Sequence, residues 1–122
     1  MKLPNIFANE VAPQSYSAGS IIFEEGQPRD CMYVVLEGEV ELKVGGHVVE
    51  TVGVDDFFGE MAMIDLGPRS ATAVAKTDCS LVPINEKRFL YMVEETPFFA
   101  ITVMRVLSRR LRRGNALLQQ TA

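Results

Sequence analysis

Tryptophan is absent from this 122-residue chain, histidine occurs once and cysteine twice. The single histidine, His47, sits beside Gly45-Gly46 at an expected surface turn, so the clustered imidazole and carboxylate ligands of a transition-metal site are missing. An iron-sulfur cluster takes about four thiolates, and Cys31 and Cys79 cannot supply them. Both cysteines lie in apolar, strand-like surroundings and are expected as small, buried, reduced side chains of a cytoplasmic protein. No apolar run approaches the ~20 residues needed to span a bilayer. The first residues also lack the charged-then-apolar pattern of a targeting segment. The expectation is a soluble single domain over residues 1–122, able to bury about two-thirds of its unfolded surface.

Acid is also missing from residues 97–122, which carry five arginines. Residues 1–96 carry seven Lys or Arg against sixteen Asp or Glu, and the whole chain has a net charge of -4. A body this acidic is unsuited to nucleic acid, because affinity for that backbone depends on basic groups that neutralise phosphates. Arg105, Arg109, Arg110, Arg112 and Arg113 read as a solvated helix face, which the carboxyl end of a helix favours. Neither nucleic acid nor a membrane is an expected partner.

Residues 4–10 suit a short helix, and strand periodicity begins near Tyr16. Residues 20–24, 31–36, 39–44 and 47–52 alternate or cluster apolar side chains between Gly26, Gly38, Gly45-Gly46 and Gly53. Gly45-Gly46 permits the positive φ of a tight hairpin. Two further strands are expected over 72–75 and 80–84, and short strands at this spacing imply a barrel or jelly roll. Helical grammar follows, with Asn85 as N-cap and Thr96-Pro97 ending one helix and starting the next. The predicted fold is mainly β with flanking α: an antiparallel β-roll or jelly roll over about 14–84, a short N-terminal helix, and two C-terminal helices over about 85–118. On the last helix Ile101, Met104, Leu107, Leu111, Gly114 and Leu118 recur every three or four residues. That stripe either packs on the domain's own barrel or forms the seam of a homodimer.

Between the apolar runs, residues 57–73 place a glycine, a carboxylate and a guanidinium on one loop. Gly59 lets the backbone approach a ligand closely. Residues 60–64 read as one helical turn, cut off by Gly67-Pro68, whose first amides, through Met61 and Ala62, are open to an anion. Arg69 supplies a planar fork for two phosphate oxygens, and the hydroxyl of Ser70 with the amides of Ser70 and Ala71 completes the shell. Glu60, an acceptor when ionised, suits a ribose hydroxyl. The bland alternative is that Glu60 and Arg69 pair with each other, for ~0–1 kcal/mol. No base and nucleophile pair accompanies the loop, so binding rather than catalysis is expected, with no catalytic residue, metal or cofactor.

Gly59-Glu60-Met61-Ala62, followed by Pro68-Arg69-Ser70-Ala71-Thr72, resembles the phosphate-binding cassette of cyclic nucleotide-binding domains, as in bacterial catabolite activator proteins, protein kinase regulatory subunits and nucleotide-gated channels. Residues 25–42 resemble the glycine-punctuated strands of that family, and the similarity spans roughly 4–118. The resemblance implies a cyclic nucleotide ligand, with Gly59, Met61, Ala62, Arg69, Ser70 and Ala71 on phosphate and Glu60 on ribose. Ser70, where relatives that prefer cGMP often carry threonine, resembles bacterial cAMP receptors and leans to cAMP with cGMP left open. Asn115 falls where those receptors place polar residues near adenine, so Ser70 and Asn115 are the base-contact candidates. Closure on phosphate would pass through Phe57 and Leu66 to the helices after Asn85, and then to a dimer partner or a separate protein effector. Two alternatives stand beside this reading: a structural or protein-interaction domain on the same barrel without ligand, and the excised regulatory domain of a larger channel, kinase or transcription regulator.

Overall fold

Glycine-punctuated alternation becomes eight antiparallel strands: β1 Gln14–Tyr16, β2 Ile21–Phe23, β3 Cys31–Glu37, β4 Val40–Val44, β5 His47–Val52, β6 Phe57–Phe58, β7 Thr72–Ala75 and β8 Cys79–Asn85. The computed structural model describes the backbone of residues 12–63 and 67–121, and the side chains of that range up to Arg113. One sheet runs β1-β8-β3-β6 and the other β2-β7-β4-β5. This is the antiparallel jelly roll expected, closed by two C-terminal helices, α1 Glu86–Glu95 and α2 Phe98–Thr121. The helix expected over 4–10 lies outside the described residues. β6 escapes sequence reading because two residues are too few to show a period.

The apolar run at the start of β3 is buried on both faces. Successive strand side chains point to opposite sides. Tyr33 and Val35 join Phe23, Val40, Phe58 and Leu81 between the sheets, whereas Met32 and Val34 join Phe57, Ile84, Met92 and Phe99 under the helices. Phe57 and Phe58 divide in the same way, so β6 ties the two cores together beside the loop that follows it. The β4–β5 hairpin turns through Gly45 and Gly46 at φ 58° and 81°, the positive-φ pair of a tight turn. Asn85 caps α1, its side-chain oxygen accepting from the Arg88 amide at 2.9 Å.

On α2 the buried stripe is Phe99, Val103 and Val106, packed under β3, β6 and α1, with Phe99 edge-on to Phe89 at 5.4 Å. The stripe singled out from the sequence lies on another face: Ile101, Met104 and Leu111 are exposed, and Leu107 is half-buried. The stripe is thus divided: Leu107 packs against the core of the domain, whereas its barrel leaves Ile101 and Met104 uncovered. Both faces are apolar at helical spacing, and the one that buries is set by where Phe89 and Met92 of α1 meet α2. Gly114 and Leu118 lie beyond the described side chains.

Candidate functional site

Backbone pairing places Arg69. Its amide donates to Gln27 O at 2.7 Å and its carbonyl accepts from Gly26 N at 2.9 Å, which pins the loop to the turn between β2 and β3. The side chain then runs inward and is 4% exposed. The guanidinium lies 3.9 Å from the centroid of the Phe23 ring. Nη2 donates to Cys31 O at 2.8 Å and meets the exposed Asp30 carboxylate at 3.2 Å. Among the described residues, Nε and Nη1 have no hydrogen-bond partner. Gly59, at φ 75°, faces Nη1: a Cβ there would lie 2.9 Å from that atom. The positive φ calls for glycine, and a side chain there would also displace the Arg69 guanidinium.

Gly59, Glu60 and Met61 from one side, and Arg69, Ser70 and Ala71 from the other, line a cavity of about 320 Å³. That volume is at the lower end of the range for small-molecule sites. Phe23, Arg29, Leu42, Leu107, Arg110 and Leu111 complete the wall, so α2 contributes directly. The expected helical turn is a 3₁₀ turn over Glu60–Met63. Its first bond runs from the Ala62 amide to Gly59 O at 3.1 Å. Ala62 is not among the lining residues, and its amide donates within this turn. Residues 64–66, Leu66 among them, and the Asn115 side chain lie outside the described residues.

Glu60 and Arg69 do not pair. Glu60 is buried, and its carboxylate Oε1 accepts from Arg110 Nη1. Arg110 also donates from Nε to Glu50 Oε1 and Oε2 at 3.2 and 3.0 Å, and from Nη2 to Glu50 Oε2 at 2.6 Å and Phe57 O at 2.8 Å. Arg113 Nη1 adds a bond to Glu50 Oε1 at 2.8 Å. Burial by itself would lower the pKa of Arg110, but Glu50 and Glu60 outweigh it and raise the pKa above the ordinary arginine value. Reading Arg110 as part of a solvated face is corrected: its side chain is 16% exposed and four residues beyond Val106, on the buried stripe. Glu50 was missed as well. The available signal was its inward position on β5, two residues before the buried Val52. Cys31 and Cys79 are free thiols, and burial pushes the pKa of each upward, which keeps them protonated and unreactive.

A family model described as the cyclic nucleotide-binding domain matches residues 13–96, which hold the roll, the cavity loop and α1. The chain belongs to the cyclic nucleotide-binding domain family. This domain is 30% identical over 113 residues to the CRP-like cAMP-activated global transcriptional regulator of Mycobacterium tuberculosis, covering 87% of this chain and 50% of that one. It is 42% identical over 85 residues to the cAMP-dependent protein kinase regulatory subunit of Aspergillus fumigatus, covering 66% of this chain and 21% of that one. The crystal structure of Thermus thermophilus catabolite activator protein superposes with a TM-score of 0.80 at 31% identity, covering 91% of this chain and 55% of that one. These relatives are regulatory proteins, and the cyclic nucleotide-binding domain described here spans about half the length of the bacterial regulators. Among the described residues no helix is long and apolar enough to cross a membrane.

Proposed function

We propose that this domain is a cytoplasmic regulatory module that binds a 3′,5′-cyclic nucleotide, cAMP ahead of cGMP, in the cavity walled by the cassette loop and α2. The observation that carries this reading is Arg69. A buried guanidinium with two unpartnered nitrogens is costly, and an anion that brings oxygens to them restores what burial removed. Nε and Nη1 lie on different sides of the planar guanidinium, with Cδ between them, so each offers its own charge-assisted donor to a phosphate oxygen. Gly59 leaves room beside it, and the Ser70 hydroxyl with the amides of Ser70 and Ala71 supplies further donors. Met61 borders the same space, and Ala62, next to it on the turn, stays a candidate for the phosphate shell. Glu60, held by Arg110, presents its carboxylate to the ribose hydroxyl. The base then lies toward Leu42, Leu107 and Leu111, with Ser70 favouring adenine and Asn115 as a further contact. Two kinds of support agree with this chemistry: the family itself, and relatives named for cAMP.

Because α2 contributes Leu107, Arg110 and Leu111 to the wall, a ligand that binds one position of α2 more tightly than another shifts that helix. Phe57, whose carbonyl holds Arg110 and whose ring packs with Phe99, Val103 and Val106, connects the loop to both helices. The output is a regulatory contact with a separate effector, or with the rest of a larger protein, rather than catalysis. Parallel isothermal titrations with cAMP and cGMP test the ligand. Saturable binding of one nucleotide per chain is expected, tighter for cAMP. No heat and no thermal shift with either nucleotide at millimolar concentration would leave the ligand-free interaction domain as the better account.

Exposed Phe98, Ile101 and Met104 support a homodimer through α2, since these apolar side chains repeat along a helix face that its own barrel leaves uncovered. Sedimentation equilibrium should give twice the chain mass for the wild type and a monomer for Ile101→Glu. A wild type that stays monomeric at high concentration, with and without cAMP, rules this interface out.

A further inference from the structure

We infer that Glu50 is a positioning residue of the binding site: it does not line the cavity, but holds Arg110 and thereby the stretch of α2 that walls it. The apolar anchoring of α2 ends early. Phe99, Val103 and Val106 are buried, whereas from Ser108 to Arg113 every described side chain is exposed except the half-buried Arg110. Leu107 still packs against that cluster, but Leu111, which borders the cavity one turn further on, depends on polar contacts to stay in place. Glu50 supplies them, with its side chain 9% exposed. It occupies the Nε and Nη2 edge of Arg110 through both carboxylate oxygens, and Oε1 also accepts from Arg113. A guanidinium is planar, so fixing one edge fixes the direction of Nη1, the nitrogen that holds Glu60. The other ion pair on this stretch, Arg109 with Asp56 at 3.8 Å, is partly exposed and contributes little.

The strand places Glu50 for this task. It lies opposite Leu42, a cavity-lining residue, at the point where the β4–β5 register shifts. Two carboxylates and two guanidiniums then balance beside the cavity. Removing the Glu50 charge leaves Arg110 and Arg113 facing Glu60 alone, with nothing on β5 to hold the helix.

The test compares Glu50→Gln, nearly the same shape without the charge, with Glu50→Asp, the same charge on a shorter arm. In ligand-free protein, amides of residues 107–113 should exchange about tenfold faster in Glu50→Gln, with β3 and β8 unchanged and Glu50→Asp in between. The cAMP dissociation constant should rise about tenfold in Glu50→Gln, and in an Arg110→Gln background the same change should add nothing. Unchanged exchange over 107–113, additive effects on binding, or loss of protection throughout the roll would each overturn the inference. The binding arm rests on the cyclic-nucleotide reading and the exchange arm does not. If the wild type binds no cyclic nucleotide, that reading fails, while the exchange result still decides the role of Glu50.

Discussion

Arg69→Ala should lower cAMP affinity by about 2–5 kcal/mol, roughly thirtyfold to several thousandfold, without lowering the stability of the ligand-free domain. The two halves of this expectation have one cause. In the free protein the guanidinium is buried with Nε and Nη1 unpartnered, so it adds little to folding beyond its contacts with Phe23, Cys31 O and the exposed Asp30. The bonds that place the loop, to Gln27 O and from Gly26 N, belong to the backbone and survive the substitution. Ligand-free unfolding should therefore occur at the wild-type temperature or above it, while the stabilisation brought by cAMP disappears. Arg69→Lys keeps a charge but loses the fork, and should fall between the two. Calorimetry that finds Arg69→Ala binding cAMP within threefold of wild type would remove Arg69 from the phosphate site. A ligand-free variant that is grossly destabilised would show instead that Arg69 is a structural side chain.

What sequence reading recovered follows from how far apart the cooperating residues lie. Gly59, Glu60, Arg69, Ser70 and Ala71 belong to one loop, so their residue types and spacing already describe a concave anion site, and the structure brings them to one cavity. The jelly roll was legible for a similar reason, since strand alternation and glycine turns are local signals. The Ala62 amide is engaged by a single 3₁₀ bond to Gly59 O, a detail that residue types and spacing do not announce. The partner of Glu60 was hidden because it lies 50 residues away, across the join between the roll and α2. Arg110 sits in a run of arginines that looks solvated, and only the phase of α2 distinguishes it from its neighbours. That phase was not readable, because Ile101 and Met104 repeat with nearly the same period as Phe99, Val103 and Val106. Tertiary contact with α1 selects between them.

Arg110→Ala should be the most destabilising single change at the site, by about 3–5 kcal/mol, because it leaves two buried carboxylates without their shared cation. Glu50 and Glu60 are 9% and 5% exposed, and among the described residues only the half-exposed Arg113 remains on Glu50. Most of the expected loss comes from charge and not from packing, and this gives the prediction a second arm. Glu50→Gln, which weakens the wild type, should stabilise the Arg110→Ala variant, because one of the two unpaired charges is gone. Urea unfolding of the two single variants and the double variant measures the coupling directly. If the double variant is weaker than Arg110→Ala, the loss lies in packing, and the cluster is not the electrostatic clasp its geometry describes. A reversal of sign would place Glu50, Arg110 and Glu60 in one unit that joins the ribose end of the cavity to α2. A ligand that engages Glu60 would then act on the helix through Arg110, with no further residue in between.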